Sequence, residues 1–309
     1  MCGSSYQFTE DAPEIQDPNS LEIPNLEWVG ICCSGNGVNM AAAAKDNSIW
    51  LSTDSGRTWS KSNSGIKNWK AITCDDDGEI IYAVEEDGKI YKGVAEKEEG
   101  EIKRWEWNAV YPSGDGKQNW SAITCSGNGT KVFATVKQGK IYKSLDNGTS
   151  WSESYNLIKN WSAITCSDDG VKVYATVMDG KIYISTNTGN IWNELNNSVD
   201  KNWSAITLFE IPSGTTIYAT VMDEYIYKVI NNNAPTSIRS VNKNWSAITC
   251  NNNGTKIYAT TNDTTSDGTI YKGINSGTNW SPITGDLVGG GGTIDSNRNW
   301  SAITCSDNG

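Results

Sequence analysis

The most informative absence in this 309-residue sequence is histidine, which does not occur at all. Without histidine the chain has no Ser-His-Asp triad, no Cys-His nucleophile pair and no histidine-ligated metal site. We therefore predict no catalytic residues, no metal ligands and no cofactor, and we expect the protein to bind rather than to catalyse.

Basic residues are also scarce, with 25 Lys and Arg against 36 Asp and Glu and a net charge of −11. A nucleic-acid partner would require a basic face, so this balance predicts no nucleic-acid binding. No apolar run approaches 18 residues, which predicts no membrane span. The N-terminus has neither the basic nor the apolar segment of a secretory signal, and we expect no signal peptide.

What the chain does contain is a tandem repeat built on the segment Asn-Trp-Ser-Ala-Ile-Thr-Cys or a close variant. Seven copies occur, with spacings of 41, 51, 41, 42, 42 and 55 residues. A period of 40 to 45 residues is typical of propeller blades. The copies begin near Trp28, Trp69, Trp120, Trp161, Trp203, Trp245 and Trp300.

The fourth copy shows the unit clearly. Four short runs of strand-forming residues are separated by turn signals such as Asp179-Gly180. No window has a sustained 3.6-residue apolar period, so helix is minimal. The pattern predicts an all-β protein, a β-propeller with four-stranded antiparallel blades. A pair of β-sandwich domains is the alternative, but a fixed four-strand period has no natural place in it.

Two copies carry a motif at the turn after their third strand. Ser52-Thr-Asp54-Ser-Gly56-Arg-Thr-Trp59 fits the pattern S-x-D-x-G-x-T-W. The second instance, with Ser in place of Thr, is Ser144-Leu-Asp146-Asn-Gly148-Thr-Ser-Trp151. Both resemble the Asp-box, or BNR-type, repeat of sialidases, some glucanases, sortilin-like receptors and photosystem II assembly factors. The resemblance implies the propeller fold and a structural role for the box, which in those families lies away from the catalytic mouth.

We predict two regions, an acidic N-terminal extension over residues 1–27 and a propeller over residues 28–309. Six complete repeats and the start of a seventh favour seven blades, with six as the alternative. The seventh copy stops after one strand, so we expect the sequence to be a fragment, with completion of the last blade by residues 1–27 as the alternative. The charge is uneven as well, because residues 1–27 carry −6 and residues 75–101 carry −8, which leaves +3 for the rest.

Eight cysteines are present, and six of them share one position of the repeat. Equivalent positions of successive blades are related by rotation, so we predict small buried residues with free thiols rather than disulfides. Free thiols favour a reducing compartment, either the cytoplasm or an assembly or virion. The six are Cys33, Cys74, Cys125, Cys166, Cys250 and Cys305.

The repeated tryptophans permit two interpretations. A ring of indoles on one face could stack on sugars, as in propeller lectins, or each indole could fill the gap between adjacent blades. The sequence does not separate a partner or glycan contact from packing. The residues concerned are Trp69, Trp120, Trp161, Trp203, Trp245 and Trp300.

The largest departure from the repeat is an acidic insertion in the second copy. It carries Glu96, Glu98, Glu99 and Glu101. Such a run is either a solvated loop or an edge for docking a partner. The nearby segment Asp75-Asp76-Asp77 does not have the ligand spacing of a calcium-binding loop.

Three functions follow from these observations. The first is a non-catalytic scaffold or protein-interaction propeller, as a structural component of a larger assembly. The second is a lectin-like propeller that uses the tryptophans, with glycan as its partner. The third is an Asp-box glycoside hydrolase that uses paired carboxylates, but nothing in the sequence singles out two acids for that role. The arginine triad of sialidases has little support, because the chain has only four arginines.

Overall fold

The structure is a computed structural model that describes residues 26–111, 117–262, 268–283 and 299–309. All but the last two residues of the acidic extension (residues 1–27) lie outside the described residues. The described part contains 24 strands in six sheets.

Each sheet has four antiparallel strands in chain order, so neighbours in sequence are also neighbours in the sheet. The first three sheets are formed by β1 Trp28–Cys33, β2 Met40–Ala44, β3 Trp50–Ser52, β4 Ser60–Lys61, β5 Trp69–Cys74, β6 Ile80–Glu85, β7 Ile90–Glu98, β8 Glu101–Tyr111, β9 Trp120–Cys125, β10 Val132–Val136, β11 Gly139–Ser144 and β12 Ser152–Lys159. The other three are formed by β13 Trp161–Cys166, β14 Val173–Val177, β15 Ile182–Ser185, β16 Asn193–Glu194, β17 Trp203–Ile211, β18 Gly214–Val221, β19 Glu224–Ile230, β20 Thr236–Lys243, β21 Trp245–Cys250, β22 Lys256–Thr261, β23 Ile270–Ile274 and β24 Asn279–Pro282.

The first strands of successive sheets contact one another, which arranges the six sheets as blades around a common axis. Second strands are buried on both faces, as in β10, where all five residues are buried. A sheet that is apolar on both sides has to be covered by its neighbours, and radial stacking of the blades achieves this. The prediction of an all-β propeller with four-stranded antiparallel blades is confirmed.

The preference for seven blades is wrong, because the structure has six. The seventh copy of the motif, residues 300–309, forms no strand. These residues lie between the sixth and first blades instead. The Asp307 amide donates to the Gly35 carbonyl at 2.8 Å, and Lys256 Nζ donates to the Asn308 carbonyl at 2.7 Å. A first-strand motif therefore does not by itself make a blade, since the sheet also needs three further strands to pair with it.

Every first strand has a register irregularity directly after its tryptophan position. In β13, for example, the ladder shifts between Trp161 and Ala163. A bulge redirects the side chain beside it, and in the second to sixth blades it accompanies an indole that is turned out of its own sheet toward the preceding blade.

The indoles of the second to sixth blades, together with that of Trp300, each donate their N–H to a backbone carbonyl in the hairpin between the second and third strands of the preceding blade. The acceptor distances lie between 2.9 and 3.2 Å. The pairs are Trp69 with Asn47, Trp120 with Gly88, Trp161 with Gly139, Trp203 with Gly180, Trp245 with Glu224 and Trp300 with Gly268. We call these contacts the tryptophan latches.

Replacing Trp120 by Phe tests a latch. The change keeps an aromatic ring but removes the N–H that bonds to Gly88. The equally enclosed Trp105 is a matched control, because its indole nitrogen is buried without a hydrogen-bond partner in the described part of the chain. We expect Trp120→Phe to lower the free energy of unfolding by about 1 kcal/mol more than Trp105→Phe. Urea denaturation measures the difference, and equal losses would contradict a role for the latch.

Candidate functional site

The predicted tryptophan ring lies inside the protein. Trp69, Trp120, Trp161, Trp203 and Trp245 are each no more than 1% exposed, and Trp300 is partly exposed. A tyrosine of the third strand meets each of the five buried rings at 5.3 to 5.7 Å between centroids. These five rings pack between blades, as the packing interpretation requires, and none of them offers a face for stacking on a sugar.

The first S-x-D-x-G-x-T-W turn is closed by its own side chains. Ser52 Oγ donates to Asp54 at 2.8 Å and accepts the Gly56 amide at 2.9 Å. Asp54 in turn accepts the Thr58 amide and hydroxyl at 2.9 and 2.7 Å, and Trp59 Nε1 donates to the Gly56 carbonyl at 3.0 Å. The Asp carboxylate therefore stabilises the turn through these hydrogen bonds.

The second turn repeats these contacts. Gly148 donates its amide to Ser144 at 2.9 Å, and Trp151 Nε1 donates to the Gly148 carbonyl at 3.1 Å. Hydrogen bonds from the Ser150 side chain and amide lower the pKa of Asp146 to about 2. Asp146 therefore accepts hydrogen bonds from residues on both sides of its own turn, as Asp54 does.

The acidic insertion forms a long hairpin, made of β7 and β8, which we call the acidic hairpin. Its eleven-residue β8 is longer than any other strand of the described chain. The tip is Glu99-Gly100, both with positive φ, at 53° and 86°. The strands of the hairpin are much longer than the two-residue fourth strands of the first and fourth blades, β4 and β16.

Ion pairs occupy part of the acidic hairpin. Arg104 Nε bonds to Glu96 at 2.6 Å, and Arg104 Nη2 lies 3.2 Å from Glu106. Lys103 lies 3.3 Å from Glu101. Glu98 and Glu99 are exposed at the tip. Of the four predicted edge residues, Glu96 and Glu101 therefore form ion pairs within the hairpin, while Glu98 and Glu99 are exposed to solvent.

The inner face of the acidic hairpin is anchored. Trp105 is 5% exposed and packs in one cluster with Ala41 and Leu51 of the first blade and Trp69 of the second. Burial of one large aromatic side chain stabilises by several kcal/mol, since Trp→Ala changes cost about 3–5 kcal/mol. The hairpin is therefore held against the first blade with its charged face outward.

A polar cleft of about 380 Å³ separates the tip of the acidic hairpin from the first blade. Its walls include Thr53 of the first S-x-D-x-G-x-T-W turn on one side and Glu101 and Ile102 on the other. Lys97 and Glu79 form an ion pair along it. We call this space the hairpin cleft.

Carboxylates also gather where the first strands end, around the axis of the propeller. Backbone hydrogen bonds connect equivalent positions of neighbouring blades there, such as Gly35 to Asp76 and Gly127 to Asp168 at 2.7 and 2.8 Å. Partial burial, and next the charges of Asp168 and Asp307, raise the pKa of Asp76. We call Asp76, Asp168 and Asp307 the axial acids.

The axial acids were not predicted from the sequence, although a signal was present. Each lies two residues after the repeated cysteine, at Cys74, Cys166 and Cys305. Aligning the copies would have brought these acids to one position, and the propeller brings that position to the axis.

The described residues contain no group of acids and cysteines arranged to hold a metal ion. No helix in the described ranges is long and apolar enough to cross a bilayer.

The Asp146 carboxylate predicts a pH effect. Its pKa in the folded protein lies below the usual value of about 3.9. Its contribution to stability is therefore complete above about pH 4 and is lost as the pH falls toward 2. Carboxyl NMR should give a titration midpoint near 2 for Asp146. Ser150→Ala should raise the midpoint, whereas Ser150→Thr, which copies Thr58 of the first turn, should keep it low. An unchanged midpoint in Ser150→Ala would refute the assignment.

The partly buried Asp168 predicts a pH effect of the opposite sign. Partial burial, followed by the charges of Asp307 and Glu210, raises the pKa of Asp168. Its ionised form is thus less favourable in the folded than in the unfolded chain, and the penalty is present above the folded pKa. Asp168→Asn should raise Tm at pH 7, and the gain should vanish below about pH 3.9.

The matched control is the adjacent Asp169→Asn. Asp169 accepts the Val171 amide at 2.8 Å, and Asn36 and Asn128 accept in the same way at the equivalent positions. We expect no increase in Tm for this variant at pH 7, because hydrogen bonds from Ser167 and the Val171 amide outweigh partial burial and lower the pKa of Asp169. Thermal unfolding of both variants at pH 7 and pH 3 measures the contrast, and equal shifts would show that the location of the charge is irrelevant.

Comparison with known proteins shows the fold. No protein-family profile matches the chain, and no curated protein matches it. Among solved structures it resembles U3-55K, with a TM-score of 0.67, 9% identity and coverage of 92% of this chain and 86% of that one. It resembles YCF48 from Cyanidioschyzon merolae, with a TM-score of 0.60, 13% identity and coverage of 84% and 86%.

The third similar structure is the GH74 xyloglucanase from Xanthomonas campestris, with a TM-score of 0.65 and 12% identity. The alignment covers 86% of this chain but only 46% of the xyloglucanase, so the chain spans about half the length of that protein. At identities of 9 to 13%, these similarities establish a β-propeller fold and nothing finer.

Proposed function

We propose that this protein is a non-catalytic β-propeller that serves as an interaction module, a structural component of a larger assembly. The acidic hairpin is its docking edge for a protein partner. The observation that carries the proposal is a charged surface held on a rigid support, since Trp105 fixes the inner face of the hairpin while Glu98 and Glu99 remain exposed.

A rigid edge favours binding because less conformational freedom is lost when the partner arrives. The exposed carboxylates favour a partner that presents Lys or Arg, and such charges chiefly increase the rate and specificity of association. The hairpin cleft beside the tip adds a concave wall that includes Ile102, which supplies apolar contact next to the charges.

The non-catalytic part of the proposal is supported by the sequence. The chain has no histidine, and the Asp54 and Asp146 carboxylates are engaged in their own turns. The xyloglucanase similarity supports the fold, and its activity belongs to that protein. We also propose a reducing compartment, because the seven cysteines of the described chain carry free thiols.

The test is a quantitative pull-down from an extract of the source cells with the full chain as bait. Glu98→Gln combined with Glu99→Gln removes both charges at the tip. We expect at least a tenfold loss of one captured protein with this variant, since removing charges at a docking edge slows association. The same protein should be retained by the unmodified chain.

A matched control removes two charges elsewhere. Asp179→Asn combined with Asp200→Asn acts on two surface positions of the fourth blade region, and Asn tolerates the positive φ of 54° at position 179. The control should capture the partner normally. If all three baits capture the same proteins in the same amounts, the acidic hairpin is not the docking edge.

A further inference from the structure

The seams between blades follow a regular pattern near the axis. At five places around the axis a threonine hydroxyl of one copy of the repeat lies 3.5 to 3.8 Å from the cysteine sulfur of the next copy. The pairs are Thr73 with Cys125, Thr124 with Cys166, Thr207 with Cys250, Thr249 with Cys305 and Thr304 with Cys33.

The seam between the first and second blades departs from this pattern. Cys32 occupies the position that Thr73 holds in the next copy, because each directly precedes the repeated cysteine. The residue facing it across the seam is the repeated cysteine of the second blade, Cys74. Two thiols therefore meet here, whereas each of the five pairs above joins a hydroxyl and a thiol. At the seam between the fourth and fifth blades Leu208 takes the place of the cysteine.

The two strands approach each other closely at this seam. Gly30 stands where the other copies have alanine, two residues before Cys32 on the same side of β1. A Cβ atom at position 30 would lie only 2.9 Å from Ile72 Cγ2 and 3.8 Å from Ala71 Cα. Glycine thus lets the backbones of β1 and β5 come together just before the two cysteines.

Both thiols are enclosed by the same apolar cluster. Cys32 is 8% exposed, and Cys74 packs against the cluster that contains it. The contact with Cys32 and then burial raise the pKa of Cys74. The thiol of Cys74 therefore reacts slowly at neutral pH, which fits a structural crosslink rather than a catalytic cysteine.

We propose that Cys32 and Cys74 are a modification site, a thiol pair that oxidation joins in a reversible disulfide between the first and second blades. The oxidant is a low-molecular-weight disulfide. One cysteine, as thiolate, attacks a sulfur of the oxidant and releases one small thiol. The second thiolate attacks the mixed disulfide and releases the other. The two protons leave the cysteines, and two electrons reduce the oxidant to two thiols.

The crosslink would join the two sides of the hairpin cleft. Thr53 and Asn39 belong to the first blade, while Glu79 and Lys97 belong to the second. A covalent bond at the inner end of this seam limits how far its two walls can separate. Redox state would thereby set the rigidity of the cleft without changing any residue that lines it.

The experiment refolds the full chain from denaturant in buffers of reduced and oxidised glutathione at pH 8.5. Refolding gives both thiols access to the oxidant before the seam closes. Free thiols are then alkylated, and disulfide-linked peptides are mapped by mass spectrometry. We expect a Cys32–Cys74 linked peptide as the major crosslink, lost again on addition of dithiothreitol. The oxidised protein should unfold about 5 °C or more above the reduced protein.

The matched control is Cys32→Thr, which recreates the threonine–cysteine contact of the other seams. It should fold normally and show no difference in Tm between the two redox states. The proposal is overturned if Cys32 and Cys74 are both recovered alkylated from every buffer. It is also overturned if Cys74 is linked to the adjacent Cys33 as often as to Cys32.

Discussion

The tryptophan latch is the contact on which the propeller depends. A four-stranded blade cannot bury both of its faces alone, so every blade needs a fixed relation to the one before it. Each latch fixes this relation by placing a large indole ring in the seam and bonding its N–H to a carbonyl of the preceding blade, as Trp203 bonds to Gly180 at 2.9 Å. Because the same contact recurs at every seam, the blades tolerate large variation in their outer strands.

That tolerance explains where the distinctive features lie. The fourth strand ranges from two residues in β16 to eleven in β8 without disturbing the first three strands. The first two blades collect the departures from the repeat: the acidic hairpin, the hairpin cleft, Gly30 and Cys32. A regular scaffold leaves such positions free to change, since the N–H to carbonyl bond of each latch is formed by other residues.

The carboxylates of Asp146 and Asp168 affect stability in opposite ways, because their surroundings differ. Asp146 accepts several hydrogen bonds from its turn, which stabilise the charged form and hold its pKa low. Asp168 lies near the axis with other acids close by, so partial burial and repulsion raise its pKa. The first kind of carboxylate strengthens the fold at neutral pH, and the second weakens it while leaving negative charge at the axis.

The sequence determined the four-strand unit, the propeller and the turns around Asp54 and Asp146, because all of these rest on local periodicity and turn chemistry. It also located the acidic hairpin as a departure from the repeat. Only the tertiary structure decided that five tryptophans are buried, that six blades form, and that Asp76, Asp168 and Asp307 converge. It alone brought Cys32 to Cys74. Those properties depend on how blades meet, and contacts between residues some 40 positions apart are set by the stacking of blades rather than by any local pattern.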